Sequence, residues 1–427
     1  MTFGLWVLGG VFVAAAAMGV PVGLSMLVAG FAYLLATHQD PGLVVDQTMN
    51  GLYNNYLLLA IPLFIFVANL MNASGMLERL LAFAQIMVGG FRGGLTHANV
   101  LSNLVFSGMS GSAVADAAGP GLIVARMMIK GGRYPAGFAA ATSAISATLG
   151  PLVPPSIPMI FYALIANASV SALFLAGIVP ALITALAMMG AISLIASRRN
   201  FPAEAPQPWR RALPAFMAAL PALALLGIIY SGIATPTEAA AIASAYALVL
   251  ALIIYRSLSA FDLYKVVAET VAQTAAIGLI MSGAFVFNYV VANEGVPVLI
   301  RNTLIGWHLG PLAFMLSVNA LLLLLAVALD EITILLVIVP LLVPVADTLH
   351  IDLIHFGVVI MLNIMVGLAL PPHGLLLFVI SNLTGTPLAA IFRETPIFLG
   401  AMLIMLIATT LMPEIALMLP RLLGYGR

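Results

Sequence analysis

The sequence predicts an all-α polytopic membrane protein made of two inverted-topology repeats, each with a re-entrant helical hairpin and a broken transmembrane helix. Three observations predict it: an apolar composition, a polar Pro- and Arg-rich segment near mid-chain, and a Gly-x-x-x-Pro-Pro motif on either side of that segment. Of 427 residues, 63% are hydrophobic and only 7% charged, with a mean hydropathy of +1.17. A soluble domain carries about 25% charged residues, because water must solvate its surface; here most of the solvent must be lipid. The formal net charge is zero, so no nucleic-acid partner is expected, and there is no cysteine to form a disulfide, a thiolate metal site or a nucleophile.

Reading from the N-terminus, the first apolar run lacks a basic flank, since the first Lys or Arg is Arg79. It is therefore read as a membrane helix and not as a cleaved signal. A spanning helix needs about 20 apolar residues. That places spans near 3–18, 19–37, 57–74, 136–168, 171–196, 212–232, 236–255, 266–292, 354–384 and 396–412. Residues 94–129 and 311–346 differ, each being two apolar arms around a small or polar tip, Ser107 to Ser112 in the first and Asp330-Glu331-Ile332-Thr333 in the second. Such tips are tolerated at membrane depth when protein or a water-filled cavity surrounds them, which suggests re-entrant hairpins.

Residues 197–211 are Pro-rich and carry Arg198, Arg199, Arg210 and Arg211. By the positive-inside rule this linker is cytoplasmic, and it divides the chain into 1–196 and 212–427. The two parts match in order. Gly150-Pro-Leu-Val-Pro154-Pro155-Ser156 parallels Gly367-Leu-Ala-Leu370-Pro371-Pro372-His373; Phe64 and Phe66 before Gly75 parallel Phe285 and Phe287 before Gly295; Pro120 parallels Pro340. Arg92 on one side of the first hairpin and Arg126, Lys130 and Arg133 on the other put both of its ends in the cytoplasm. The second hairpin is flanked by His308, Asp347, His350 and Asp352, and so enters from the opposite face. An odd number of crossings per half inverts the second repeat and returns Arg256, Lys265 and Arg393 to the cytoplasm; Arg301, Arg421 and Arg427 run against this pattern. Inverted repeats with broken helices are a transporter architecture.

The prolines of 150–155 and 371–372 must unwind their helices, because proline lacks a donor and clashes with the preceding turn. Carbonyls freed at membrane depth cost several kcal/mol each unless something pairs with them. Hard cations such as sodium accept carbonyl and hydroxyl oxygens. Each half would thus contribute one hairpin tip and one unwound loop to a cation site, with Ser110 and Ser112 supplying hydroxyls in the first. Intramembrane acids are functional by default: Asp116, Asp330 and Glu331 could neutralise a cation, order a tip or carry a proton. His373 could donate to an anionic solute. Glu238 in Thr235-Pro236-Thr237-Glu238 reads as a helix start. There is no P-loop, and no residue set with the spacing of a catalytic centre, so the chain is not expected to be an enzyme.

The motifs Ser107-Gly-Met-Ser-Gly-Ser-Ala-Val-Ala-Asp116, Gly150 to Met159, Leu173-Phe-Leu-Ala-Gly-Ile-Val-Pro180 and Thr235-Pro-Thr-Glu-Ala239 resemble the large membrane subunit of the TRAP (tripartite ATP-independent periplasmic) transporters. Asp330, Pro340 with Pro344, His355-Phe-Gly357 and Gly367 to Gly374 extend the resemblance over nearly the whole chain. It implies sodium-driven uptake of an organic anion, typically a carboxylate, across a bacterial inner membrane by an elevator-like motion. It also implies a small membrane subunit of about four helices on a separate chain and a periplasmic solute-binding protein. Carried over by motif, Ser110, Ser112, Gly150, Val153 and Pro154 line one sodium site. Asp330 with Gly367, Leu370, Pro371 and Pro372 lines the second, and Ser112 and Ser156 approach the solute. Two positions depart from the family pattern: Leu370 stands where a Thr is usual, and His373 where an aliphatic residue is usual. A stand-alone anion:sodium or anion:proton symporter of related architecture is the alternative.

Overall fold

The computed structural model describes residues 3–204, 216–217, 220, 227–229, 234–306, 310–327 and 329–425. His308, Arg210, Arg211, Arg427 and most of the expected 212–232 span lie outside the described residues. Among those described the chain is helical, with one isolated bridge between Arg92 and Ala203 and no strand. That is the outcome lipid imposes, since a helix pairs its backbone within its own segment.

Among the described residues five helices are long and apolar enough to cross a membrane: Tyr56–Ala73, Val170–Arg198, Pro236–Ile254, Ala260–Asn293 and Glu331–Thr348. Leu388–Glu394 and Pro396–Leu411, bent by 53°, would make a sixth. The helices expected at 3–18 and 19–37 are shorter, at 15 residues each (Phe3–Ala17 and Val22–Ala36). Among the described residues, Leu43–Tyr53, Met76–Val88, Val296–Gly306, Leu388–Glu394 and Glu414–Leu422 are short helices outside the expected spans. Met76–Val88 buries Met76, Leu77, Leu80, Leu81 and Ala84, a one-faced pattern that reads as amphipathic and not as a span.

The first hairpin is present as two helical arms packed on each other; in the second the arms follow in order, but Pro311–Leu325 packs chiefly on Leu353–Ala369 and Pro396–Leu411 and not on the return arm. In the first, Gly94–Ser110 runs out, Gly111 turns in the left-handed region (φ +59°), Ser112 caps the return arm, and the chain comes back through Ala113–Asp116, a π-turn at Ala117–Gly121 and Leu122–Lys130. In the second, Pro311–Leu325 runs out, Asp330 caps Glu331–Thr333, and a π-turn at Ile334–Ile338 leads to Val339–Thr348. The outgoing arms have 17 and 15 residues, about 25 and 22 Å at 1.5 Å per residue. Both fall short of the ~30 Å hydrocarbon core, whereas the second return segment, Glu331–Thr348, is long and apolar enough to cross.

The apolar stretches 136–168 and 354–384 are both interrupted at their prolines. Ala136–Ala147 ends before Thr148, and Ile157–Ala166 begins after Ser156. Leu353–Ala369 ends at Leu370, and Leu375–Thr384 follows Gly374. The second break starts later than expected: Gly367 lies inside the helix, and its carbonyl accepts from the Leu370 N–H at 3.2 Å. The first loop has Pro151 as well as Pro154 and Pro155, whereas the second has only Pro371 and Pro372. The helix therefore persists to the residue before the pair, where the following proline forces Leu370 into extended geometry (φ −80°, ψ 116°). The Pro154–Pro155 and Pro371–Pro372 peptide bonds are both cis.

Packing sorts the helices into two groups. Val22–Ala36, Leu43–Tyr53 and Ala60–Ala73 surround the long helix Ala260–Asn293, and Pro236–Val249 packs on Ala60–Ala73. The hairpins and broken helices form the second group, and they interlock. Leu375–Thr384 lies against Ala136–Ala147 and the return arm of the first hairpin; Ile157–Ala166 lies against Leu353–Ala369 and the return arm of the second. At that crossing a Cβ on Gly357 would sit 2.4 Å from the Tyr162 ring, so only glycine permits the approach. The Tyr162 hydroxyl then donates to the Leu353 carbonyl at 2.6 Å.

Candidate ion and solute site

The first hairpin tip meets the first unwound loop. The Ile157 N–H donates to the Gly111 carbonyl at 3.2 Å, bonding the tip to the start of the helix after the break. Within the tip, the Ser107 and Ser110 hydroxyls both donate to the Asp116 carboxylate. All three residues are buried. Asp116 in turn abuts the loop: a Cβ on Gly150 would lie 3.0 Å from Asp116 Oδ2 and 2.8 Å from the Ala113 nitrogen. Glycine at 150 is what lets loop and tip touch.

Gly150, Val153 and Pro154 are buried in this loop, and no described N–H or O–H donates to their carbonyls. Buried carbonyls are nearly always paired with protein or water, so a run of unpaired ones calls for an explanation. Gly150 abuts the tip at Ala113 and Asp116, and the same tip carries Ser110 and Ser112. The Ser112 hydroxyl is only loosely engaged, accepting from the Ala115 N–H at 3.4 Å. Ser156 begins the helix after the break. Its hydroxyl donates to the Pro151 carbonyl at 2.7 Å and accepts from the Met159 N–H at 3.3 Å, and it is fully buried. It caps the helix start, a role that serine fills well.

The second tip and loop also converge, around a more open space. Asp330, Glu331, Gly367 and His373 line one cavity of about 190 Å³. The Asp330 carboxylate accepts from the Ile332 and Thr333 N–H groups at 3.1 and 3.2 Å and from the Thr333 hydroxyl. It orders the tip as an N-cap does. Glu331 Oε2 is buried without a hydrogen-bond partner. The carbonyls of Leu370, Pro371 and Pro372 accept from no described donor. A Cβ on Gly367 would lie 2.5 Å from the Ala326 Cβ, so glycine allows the last turn of Leu353–Ala369 to approach the end of the outgoing arm.

Each outgoing arm is also clamped to the helix before the break by buried polar side chains. Asn99 Nδ2 donates to Ser143 Oγ at 2.7 Å, and Asn103 Nδ2 to Ser146 Oγ at 2.8 Å. In the second half Asn363 Nδ2 donates to Asn319 Oδ1 at 2.8 Å, and Asn319 Nδ2 to Thr410 Oγ1 at 2.9 Å. The three ion pairs among the described residues, Arg133–Glu204, Arg199–Glu394 and Arg421–Glu414, involve none of the hairpin acids.

In front of the first tip lies a crevice of about 480 Å³, bounded by Ser110, Ser112 and Ile157 on one side and Ile332 of the second tip on another. Its far wall carries Asn69, Asn72, Glu269 and Gln273. Sequence reasoning did not single out these four. Their signal was available: polar side chains three or four residues apart inside apolar spans share one helix face.

The model of the Tripartite ATP-independent periplasmic transporter DctM component matches residues 9–415. The chain belongs to this family. The permease is 38% identical to the sialic acid TRAP transporter large permease protein SiaM of Vibrio cholerae, over 96% of this chain and 97% of that one. It is 39% identical to the C4-dicarboxylate TRAP transporter large permease protein DctM of Pseudomonas aeruginosa, over 87% of each. A fused relative, the isethionate TRAP transporter permease protein DctMQ of Oleidesulfovibrio alaskensis, is 32% identical and matches over 65% of its own length. Among solved structures the permease shares its fold with the YdaH transporter of Alcanivorax borkumensis, at a TM-score of 0.60 and 14% identity, over 90% of this chain and 89% of that one.

Proposed function

We propose that the permease takes up a small organic anion of the carboxylate class across the bacterial inner membrane, driven by sodium ions bound between hairpin tips and unwound loops. The observation that carries this reading is a buried loop, Gly150 to Pro154, in which no described donor reaches the carbonyls of Gly150, Val153 and Pro154, and whose Gly150 abuts a tip that carries Ser110, Ser112 and Asp116. Sodium takes such oxygen ligands, and its charge would then offset that of the solute. Asp330 with the carbonyls of Leu370, Pro371 and Pro372 forms the second site, and Gly367 shapes it. The leucine at 370 removes a side-chain ligand but leaves the backbone oxygens. The sialic acid, C4-dicarboxylate and isethionate named for the relatives are all organic anions, which supports the solute class.

In this reading residues 1–196 and 212–427 are inverted repeats joined by the 197–211 linker, and the hairpin group slides as an elevator against the group around Ala260–Asn293. The matching order of arm, capped tip, π-turn, broken helix and following helix in the two halves supports the repeat. The close packing of Val22–Ala36, Leu43–Tyr53 and Ala60–Ala73 around Ala260–Asn293 supports the elevator. Ser112 faces the solute crevice, and His373 faces the second tip, where it tunes solute choice or pH response. A small membrane subunit of about four helices on its own chain and a periplasmic solute-binding protein complete the system.

The test is uptake by proteoliposomes holding the permease with its small subunit and binding protein, with sialic acid, malate and isethionate as probes. An inward sodium gradient should drive accumulation of at least one probe, and an equal potassium gradient should not. Accumulation driven equally by a proton gradient without sodium would move the coupling to Glu331 and His373 and contradict the sodium reading.

A further inference from the structure

The wall of the crevice opposite the first tip makes a chemical demand that the tip alone does not. Asn69 and Asn72 come from the Ala60–Ala73 helix, and Glu269 and Gln273 come from one face of Ala260–Asn293. Asn69 Nδ2 donates to Gln273 Oε1 at 3.3 Å and to Thr270 Oγ1 at 3.1 Å, so the two helices fix these amides relative to each other. Glu269 is exposed to the crevice and takes part in none of the three ion pairs among the described residues. No described lysine or arginine lines the space. At about 480 Å³ it is within the ordinary range of small-molecule sites.

An anion entering this crevice therefore meets hydroxyls and amides, one fixed negative charge and no fixed positive one. A single carboxylate can turn to the cations and hydroxyls at the tip. A second carboxylate on the same small solute would face Glu269. Hydroxyl, amide or ammonium groups there would instead donate to Glu269, and hydrogen bonds to a charged acceptor are the stronger kind. We propose that Glu269 is a specificity-determining residue that selects monocarboxylates bearing hydroxyl, amide or ammonium groups and disfavours dicarboxylates. This inference rests on the organic-anion reading above and names its solute class.

The experiment uses the full chain co-purified with its small subunit in detergent. Thermal midpoints are followed against gluconate, sialic acid, malate and succinate at constant sodium and ionic strength, because the midpoint shift reports affinity for the folded state. The unaltered protein should respond to gluconate or sialic acid at concentrations at least about tenfold lower than to malate or succinate, the order expected for two like charges several ångströms apart at an effective dielectric near 20. Glu269→Gln should narrow that ratio. Gln273→Glu, which keeps an acceptor for Asn69, should widen it, and it carries the test alone if Glu269→Gln does not fold. A ratio unchanged in folded, sodium-responsive variants, or a preference for dicarboxylates in the unaltered protein, overturns the proposal. A response to sodium without a response to any anion overturns it too, while leaving the sodium reading in place. No response to either defeats both.

Discussion

The Ile157 N–H donates to the Gly111 carbonyl at 3.2 Å, so the first hairpin tip and the first broken helix are bonded through their backbones at the point where each is least regular. Gly111 has φ +59°, and a Cβ there would lie 2.6 Å from the Pro155 carbonyl. Gly111→Ala should cost about 2 kcal/mol, of which the left-handed conformation alone accounts for about 1–2. It should also weaken the midpoint response to sodium at least about tenfold, roughly 1.4 kcal/mol. A sodium titration of the unfolding midpoint measures both effects, and an unchanged response would separate the tip–loop bond from ion binding.

Asp116 is the acceptor for Ser107 and Ser110, and none of the three has access to solvent beyond 1%. Asp116→Ala leaves two buried hydroxyls without it and should destabilise by about 1–3 kcal/mol. Asp116→Asn keeps the shape and one acceptor, and should lose less. Equal stability of the two variants in thermal unfolding would show that the carboxyl does not order the tip.

Asn319 bridges Asn363 and Thr410 inside the second half, with all three side chains buried. Asn319→Leu removes both bonds and leaves two polar partners in an apolar setting, at a cost of about 1–3 kcal/mol. The sodium response of the first site should be unaffected, since the clamp lies on the other hairpin. Detergent unfolding with and without sodium checks both parts.

His373 lines the cavity with Asp330 and Glu331. Its ring can donate to an anionic solute, which a valine cannot do. His373→Val should therefore reorder the preferred solutes. Uptake with the same ranking of probes would remove His373 from the solute path.

Much of this architecture was legible because proline and glycine act locally. The Pro154–Pro155 and Pro371–Pro372 pairs announced both breaks, and the small or acidic residues at 107–112 and 330–333 announced both tips. The later onset of the second break was harder to read, because it depends on the missing counterpart of Pro151, a difference that a shared Gly-x-x-x-Pro-Pro pattern conceals. The capping role of Ser156 follows from its place just before a helix start, where its hydroxyl meets the Pro151 carbonyl and the Met159 N–H. Glu269, Gln273, Asn69 and Asn72 were invisible as a group for another reason. They lie some 200 residues apart in sequence, joined by bonds such as Asn69 to Gln273 (|i−j| = 204), and only the tertiary packing of two helices makes them one wall. The crossing of Gly357 with Tyr162 is likewise a long-range fact that no local pattern encodes.

Direct binding of radioactive sodium to the purified permease tests the central claim without requiring the solute to be known. The account predicts saturable binding that excess potassium does not displace, diminished in Gly150→Leu, whose side chain would push Asp116 and the tip away from the loop, and diminished separately in Asp330→Ala. Binding that is absent or unsaturable in the unaltered protein, or that survives both substitutions undiminished, would contradict a sodium site between hairpin tips and unwound loops.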